Sequence, residues 1–258
     1  MMKLSVVVIT RNEEQNIRRC LASVSWADEI VVIDSGSDDR TVEMARELGA
    51  RVFAFDWRGF GPAKREGVDK ATGEWILSLD ADEVVSAELA AEIKKVLSED
   101  NDYSGYYMPR KANFLGRWIY HCGWYPDPVL RLFDKSRGNF NDVIVHEKVL
   151  VEGPVGRLKG EILHYSYPTL DSYFMKFNRY TTMGAQAAFQ AGNKAGWFDL
   201  LVKPPVSFTK HYIVKQGFRD GWEGFLISIL SSVSVLVKYA KLREMVRKKN
   251  GIENEQAD

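Results

Sequence analysis

Trp75-Ile-Leu-Ser-Leu-Asp80-Ala-Asp82-Glu83 is an apolar run that passes without a spacer into three carboxylates. Burying several charges without counterions is expensive, so this stretch belongs where a strand leaves a core. Alternation on an extended segment points Asp80 and Asp82 the same way. That arrangement suits one hard cation, Mg2+ or Mn2+, whose remaining ligands are substrate phosphates. A solvated turn, with Asp82 or Glu83 helping to cap the next helix, is the other reading of the same residues. The pattern of strand followed by polar cluster recurs upstream. Leu4–Ile9 runs into Thr10-Arg-Asn12-Glu13, and Ile30–Ile33 runs into Asp34-Ser35-Gly-Ser-Asp-Asp39.

Working outward, strands are predicted to start near Leu4, Ile30, Arg51 and Trp75, with helices over Asn12–Val24, Asp39–Leu48, Pro62–Ala71 and Ser86–Leu97 between and after them. Thr10 and Glu13 have capping-box spacing, Ser86 suits an N-cap, and Gly49 and Gly73 stand where a left-handed residue closes a helix. Short strand-helix-strand units imply an α/β fold with a mostly parallel sheet, helices on its faces, and ligands at the carboxyl ends of the strands. The three polar clusters stand at those ends and define one rim. After residue 100 the alternation stops. Tyr103–Val151 reads as short antiparallel strands and loops, Thr169–Gln190 as a helix, and Leu200–Val246 as two or three helices interrupted by Pro204, Pro205 and Gly217. The expected organisation is a catalytic domain over 1–199, with halves 1–100 and 101–199, a basic amphipathic helical extension over 200–250, and a disordered acidic tail over 251–258.

The 258 residues are 45% hydrophobic and 27% charged, which excludes disordered, collagen-like and disulfide-scaffold classes. The 35 basic and 35 acidic side chains cancel, but unevenly. Residues 1–199 carry 25 basic against 29 acidic groups, 200–250 carry 10 against 3, and 251–258 carry 0 against 3. A nucleic-acid partner is not expected from a chain whose body is acidic. Two distant cysteines, Cys20 and Cys122, suit a reduced compartment, and Leu4–Ile9 is too short and too soon followed by charge for a signal peptide. The uncharged run Gly224–Val237 has 14 residues, whereas a spanning helix wants roughly 20.

Neither a Rossmann glycine fingerprint nor a Walker Gly-Lys-Ser follows the first strand. The four segments Leu4–Asn12, Ile30–Asp39, Lys64-Arg65 and Glu74–Glu83 together resemble glycosyltransferase family 2, with the GT-A (Rossmann-like nucleotide-diphospho-sugar transferase) fold. That resemblance implies that Thr10, Asn12 and Glu13 shape a nucleotide pocket, that Asp34 and Ser35 face uridine, and that Lys64 approaches the diphosphate. It also implies that Asp80-Ala81-Asp82 is the metal-binding signature. The residues alone leave alternatives open: Asp34 could satisfy turn amides before Gly36, and Lys64 could be an ordinary surface charge.

Asp127, fixed between Pro126 and Pro128 with Arg131 four residues on, is a candidate base for an acceptor hydroxyl, although a Pro-Asp-Pro turn without chemistry fits the same residues. Trp124, Arg131-Leu-Phe133, Val145-His146-Glu147 and Lys215-Gln-Gly-Phe-Arg-Asp-Gly221 are similar to the lipopolysaccharide-core glucosyltransferase subgroup. The resemblance implies a UDP-sugar donor, commonly UDP-glucose, and an inner-core acceptor carried on lipid. Asp127 then resembles the base of an inverting transfer, Arg131 and Trp124 border the donor sugar, and His146 joins Asp80 and Asp82 at the metal or diphosphate. A nucleotidyltransferase of similar fold and a non-catalytic sugar-nucleotide-binding protein are the rival readings. In the extension, Phe225, Leu226, Ile229, Leu230, Val233, Leu236 and Val237 recur at helical spacing ahead of Lys238, Lys241, Arg243 and Arg247–Lys249. This combination suits peripheral contact with the anionic cytoplasmic face of a membrane; packing on the domain or on another subunit is the alternative. No motif fixes the oligomeric state.

Overall fold

The computed structural model describes residues 2–99, 102–141 and 148–255, the side chains of 250–255 excepted. Strands β1 (Leu4–Thr10), β2 (Glu29–Asp34), β3 (Arg51–Ala54) and β4 (Trp75–Asp80) alternate with α1 (Ile17–Ser23), α2 (Thr41–Glu47) and α3 (Phe60–Lys70). After β4 the chain turns into β5 (Glu83–Val85) and α4 (Ala87–Ser98). The irregular region supplies β6 (Gly105–Phe114), β7 (Arg117–Trp118), β8 (Asp127–Asp134), β9 (Gly138–Phe140), β10 (Val149–Val151), β11 (Val155–Arg157) and β12 (Ile162–Tyr167). The helices α5 (Leu170–Gln190), α6 (Trp197–Leu201), α7 (Lys203–Thr209) and α8 (Gly221–Glu255) follow, with a π turn at Lys210–Val214 and a 3-10 turn at Gly217–Asp220 between α7 and α8.

The main sheet has the order β3-β2-β1-β4-β8-β6-β12-β5. Its first four strands are parallel, as short crossovers require, and β8 enters antiparallel beside β4. The expected α/β sheet with flanking helices and a C-terminal helical extension is the fold found. Every residue of β1 is buried. Its alternate side chains join opposite apolar layers. Val6 and Val8 pack with Ile17, Leu21, Leu89 and Ile93, whereas Val7 and Ile9 pack with Ala63 and Val68 of α3. A strand covered on both faces must read as a continuous hydrophobic run, which is why Leu4–Ile9 shows no polar alternation.

Helix ends differ from expectation in instructive ways. Ser86 caps α4 as predicted, its hydroxyl accepting from the Leu89 amide at 3.1 Å. The Thr10/Glu13 box does not form: α1 begins only at Ile17, because residues 11–16 are drawn toward the loop after β2. Gly49 takes φ +79 after α2 as a C-terminal left-handed residue should, but Gly73 does not. Gly73 is needed because a Cβ there would lie 2.7 Å from the Ser5 backbone nitrogen.

The chain forms two compact units, Met1–Lys111 with Pro126–Tyr165, and Ala112–Tyr125 with Ser166–Asp258. Their borders differ from the expected break at 199/200, since α5 and α8 pack on the 112–125 segment through Tyr173, Ile227 and Leu230. In that second unit Asp220 is 2% exposed and accepts from the Tyr120 and His121 amides and pairs with His121 Nδ1 at 2.9 Å. Within the Lys215–Gly221 motif Gly217 and Asp220 are the buried residues that anchor the turn. Helix α8 continues to Glu255, into the stretch expected to be a disordered tail. The uncharged 14-residue run lies in the N-terminal half of this 35-residue helix. Among the described residues it is the helix long and apolar enough, by length and composition, to cross a membrane.

Candidate active site

Register brings the polar strand ends to one level. Thr10 pairs with Asp34, Asp34 with Ala54, and Ile9 with Asp80, so the first, second and fourth strands deliver their clusters to a common rim. The loops after β1 and β2 are stitched together there. Asn12, held at φ +55, accepts from the Asp38 amide at 3.0 Å and gives its own N–H to Ser37 Oγ at 2.9 Å. Asn tolerates that left-handed conformation better than most residues. Glu13 donates its amide to Thr41 Oγ1 at 2.8 Å and takes the Asn16 side-chain amide.

Asp34 follows the turn reading: its carboxylate accepts from the Gly36 and Ser37 amides at 3.1 and 3.0 Å and from the Ser37 hydroxyl. It fixes this turn at the rim. Beside it, Thr10 Oγ1 and Ser35 Oγ are buried without a hydrogen-bond partner, at 5% and 7% exposure. Buried hydroxyls are normally satisfied, so this pair marks polar capacity at the rim that the chain itself does not use.

The three carboxylates after β4 have different environments. Asp80 lies 3.0 Å from Lys64 Nζ through Oδ1 and 2.8 Å from Arg131 Nη2 through Oδ2. Burial pushes its pKa up, but the Arg131 and Lys64 charges prevail and hold it well below the usual carboxylate range. Glu83 is fully buried. Its Oε1 meets Arg131 Nη2 at 3.0 Å and Arg110 Nη1 at 3.1 Å, and its Oε2 accepts the Asp80 amide at 2.9 Å. Asp82 instead places Oδ2 at 3.2 Å from His164 Nε2, on β12. The expectation that Asp80 and Asp82 point the same way is corrected: β4 ends at Asp80, the chain turns, and alternation no longer applies. Ala81 is the buried hinge of that turn, at 3% exposure.

Lys64 is not the ordinary surface charge that one reading of the sequence allowed. At 1% and 6% exposure Lys64 and Arg131 are buried counterions of Asp80, with Lys64 Nζ also 5.5 Å from the Phe140 ring centroid. Antiparallel pairing of β8 on β4 is what carries Arg131 to this rim. The pairing of Arg110 with Asp127 on β6 and β8 then extends the network outward. Arg110 gives Nε and Nη2 to Asp127 Oδ2 at 2.9 and 2.6 Å. Asp127 stays substantially exposed while Arg110 is mostly covered. The result is an ordered chain of charge, Lys64–Asp80–Arg131–Glu83–Arg110–Asp127, running from the core to solvent.

Among the described residues no group of three or more His, Cys, Asp or Glu is arranged to hold a metal ion. Asp80 is committed to two cations. Asp82 and His164 provide one oxygen and one nitrogen, a donor set that fits a divalent ion completed by water and phosphate oxygens. His146 and Glu147 lie outside the described residues. Trp124 belongs to the second unit, where it packs edge-to-face on Phe114 at 5.8 Å and against Tyr167 at 5.7 Å. Glu83 is visible in the sequence as the third carboxylate, whereas Arg110 and His164 stand alone in strand-like stretches with no local signal.

Residues 5–150 match the model of the family described as Glycosyl transferase family 2. An uncharacterized glycosyltransferase of Rickettsia typhi is 30% identical over 98% of this chain and 90% of its own length. The lipopolysaccharide core biosynthesis glycosyltransferase LpsC of Rhizobium meliloti is 27% identical over 93% of this chain and 91% of its own. A crystal structure of S. aureus TarS residues 1–349 aligns over 96% of this chain and 92% of that one, at 15% identity and a TM-score of 0.47.

Proposed function

Since the chain belongs to glycosyl transferase family 2, we propose that it moves a sugar, glucose, from a UDP-sugar to a saccharide acceptor carried on lipid, with inversion at the anomeric carbon. The observation that carries this reading is the rim itself. Two buried, unpartnered hydroxyls lie beside an ordered turn at one side, Asp82 with His164 stands after β4, and an exposed carboxylate ends a buried charge network. The name of the Rhizobium meliloti relative supports an acceptor of the lipopolysaccharide core. Such an acceptor accords with work at the cytoplasmic face of the inner membrane.

In this mechanism Thr10 and Ser35 receive polar groups of the nucleotide, and Asn12, Glu13 and Asp34 keep the receiving loops in place. Asp82 and His164 would hold Mg2+ or Mn2+, which supplies neutralisation of the charge on the departing diphosphate. Asp80 acts indirectly: paired with Lys64 and Arg131, it fixes the start of the turn that aims Asp82. Asp127 takes the acceptor hydroxyl's proton as that oxygen bonds to the anomeric carbon and the bond to the nucleoside diphosphate breaks on the opposite face. Arg110, gripping a single oxygen of Asp127, leaves the other carboxylate oxygen to face the acceptor and prevents the side chain from rotating away.

A thermal-shift panel of nucleoside-diphosphate sugars with and without Mn2+ tests donor and metal together. Asp82→Asn is expected to abolish the Mn2+-dependent part of the shift. Asp127→Asn is expected to keep that shift while turnover falls by roughly 10²–10⁴-fold, the scale of a lost general base. Full activity in both variants would refute the assignment.

A further inference from the structure

The second compact unit carries many of its exposed large apolar side chains between residues 197 and 222. Trp197, Phe198, Leu201, Val206, Ile213 and Val214 are each between 55% and 68% exposed. Trp197, Phe198 and Leu201 stand on α6, Val206 on α7, and Ile213 and Val214 in the π turn, so three consecutive elements each expose apolar bulk. The opposite face of the same segment is spent inward. Pro204 is buried and its carbonyl accepts from Ser232 Oγ at 2.8 Å, while Phe208 stacks on Tyr212 at 5.3 Å and meets Phe225 edge-on at 6.1 Å. The segment is thus amphipathic by contact as well as by sequence: one face is held by α8, and the other faces outward.

Charge decides what that outer face meets. Lys194, Lys210, Lys215 and Arg219 are exposed along it, and Arg243 lies 4.8 Å over the Trp197 ring. Between Lys194 and Trp222 the only acidic residues are Asp199 and Asp220. Asp199 is engaged by Lys203 at 2.7 Å and by the Gly196 amide, and Asp220 is buried against His121. The face therefore offers apolar bulk and uncompensated positive charge. A self-complementary contact with a second copy would oppose like charges. An anionic lipid headgroup layer satisfies both properties, with tryptophans at the level where their amphipathic rings prefer to sit.

We propose that the α6–α7 face, together with Phe218 of the 3-10 turn and Trp222 at the start of α8, is an in-plane membrane-docking surface for anionic lipid. This adds a second surface to the contact expected from sequence. In the Phe225–Val237 stripe Leu230 is buried, whereas Val233 and Leu236 stay exposed. The assignment deepens the reading of a lipid-borne acceptor, resting on it for purpose but not for measurement.

The test is co-sedimentation of the full chain with phosphatidylglycerol vesicles and with phosphatidylcholine vesicles, without sugar nucleotide. The wild-type chain is expected to bind phosphatidylglycerol strongly and phosphatidylcholine weakly. The triple variant Phe198→Ser/Leu201→Ser/Val206→Ser should lose at least about tenfold in vesicle affinity, since its removed side chains supply the buried apolar area. The double variant Lys210→Glu/Lys215→Glu should lose binding to phosphatidylglycerol selectively. All replaced residues except Lys210 and Lys215 are apolar and exposed, so melting temperature should be unchanged, and its measurement verifies the fold. Failure of the wild-type chain to bind, wild-type binding by the triple variant, or a patch-dependent dimer with no vesicle effect would each overturn the proposal. Vesicle binding without any sugar-nucleotide shift would leave this surface standing and remove the donor reading; the reverse pattern would do the opposite.

Discussion

Glu83 is the residue on which the site's integrity turns. Its carboxylate is fully buried between the guanidiniums of Arg110 and Arg131, and it also closes the turn through the Asp80 amide. Removing one partner of a buried ion pair leaves uncompensated charge and costs roughly 3–5 kcal/mol. Glu83→Ala is expected to lose stability on that scale in urea titration, with Glu83→Gln milder because it retains an acceptor. Asp80 gives a pH signature. Its folded-state pKa lies well below the unfolded value, which is about 3.9. Its contribution to stability is therefore fully present above that value and is lost as pH falls below it toward the folded pKa. Equilibrium unfolding between pH 7 and pH 2 should show no Asp80-dependent change above about pH 5, and Asp80→Asn should flatten the acid limb. Asp34 takes the turn contacts its own sequence offers, the Gly36 and Ser37 amides, whereas the burial of Lys64 was decided by a tertiary contact, the Asp80 carboxylate at the end of β4.

At the scale of elements, α8 is packed too closely to accept a side chain where it begins. A Cβ on Gly224 would stand 1.9 Å from the Gly217 carbonyl oxygen. Backbone cannot swing aside as a side-chain end can, so Gly224→Ala should cost about 1–3 kcal/mol by overpacking. Gly184 in α5 is the contrast, because its Cβ would meet only the flexible Lys238 stem at 3.4 Å. Gly184→Ala should be neutral or stabilise by up to about 1 kcal/mol through helix propensity; the two melts measured side by side check both. The strand-helix alternation of the first hundred residues was legible because β1, β2 and β4 are continuous apolar runs bounded by turn residues. The start of α1 was misread, since the competing hydrogen bonds come from Ser37 and Thr41, more than twenty residues away.

At the scale of the whole molecule, neutrality is a sum of unlike parts: residues 1–199 carry four more acids than bases, and residues 200–250 carry seven more bases than acids. Screening by salt weakens the attraction of an exposed basic face to anionic lipid, with a Debye length of about 10 Å at 0.1 M and about 3 Å at 1 M. Vesicle binding by the full chain should therefore fall steeply between those conditions while sugar-nucleotide shifts change little; equal salt dependence of the two would argue against separate surfaces. The sequence by itself determined the parallel strands, the rim on which their polar ends collect, and the charge division, because each follows from local periodicity and composition. Tertiary structure alone decided which carboxylates are buried counterions and which stand near an imidazole or solvent, and which face of the helical extension turns outward. Those outcomes depend on strands and helices distant in sequence meeting at close range, where burial, pairing and steric exclusion act and one-dimensional patterns carry no record of the partner.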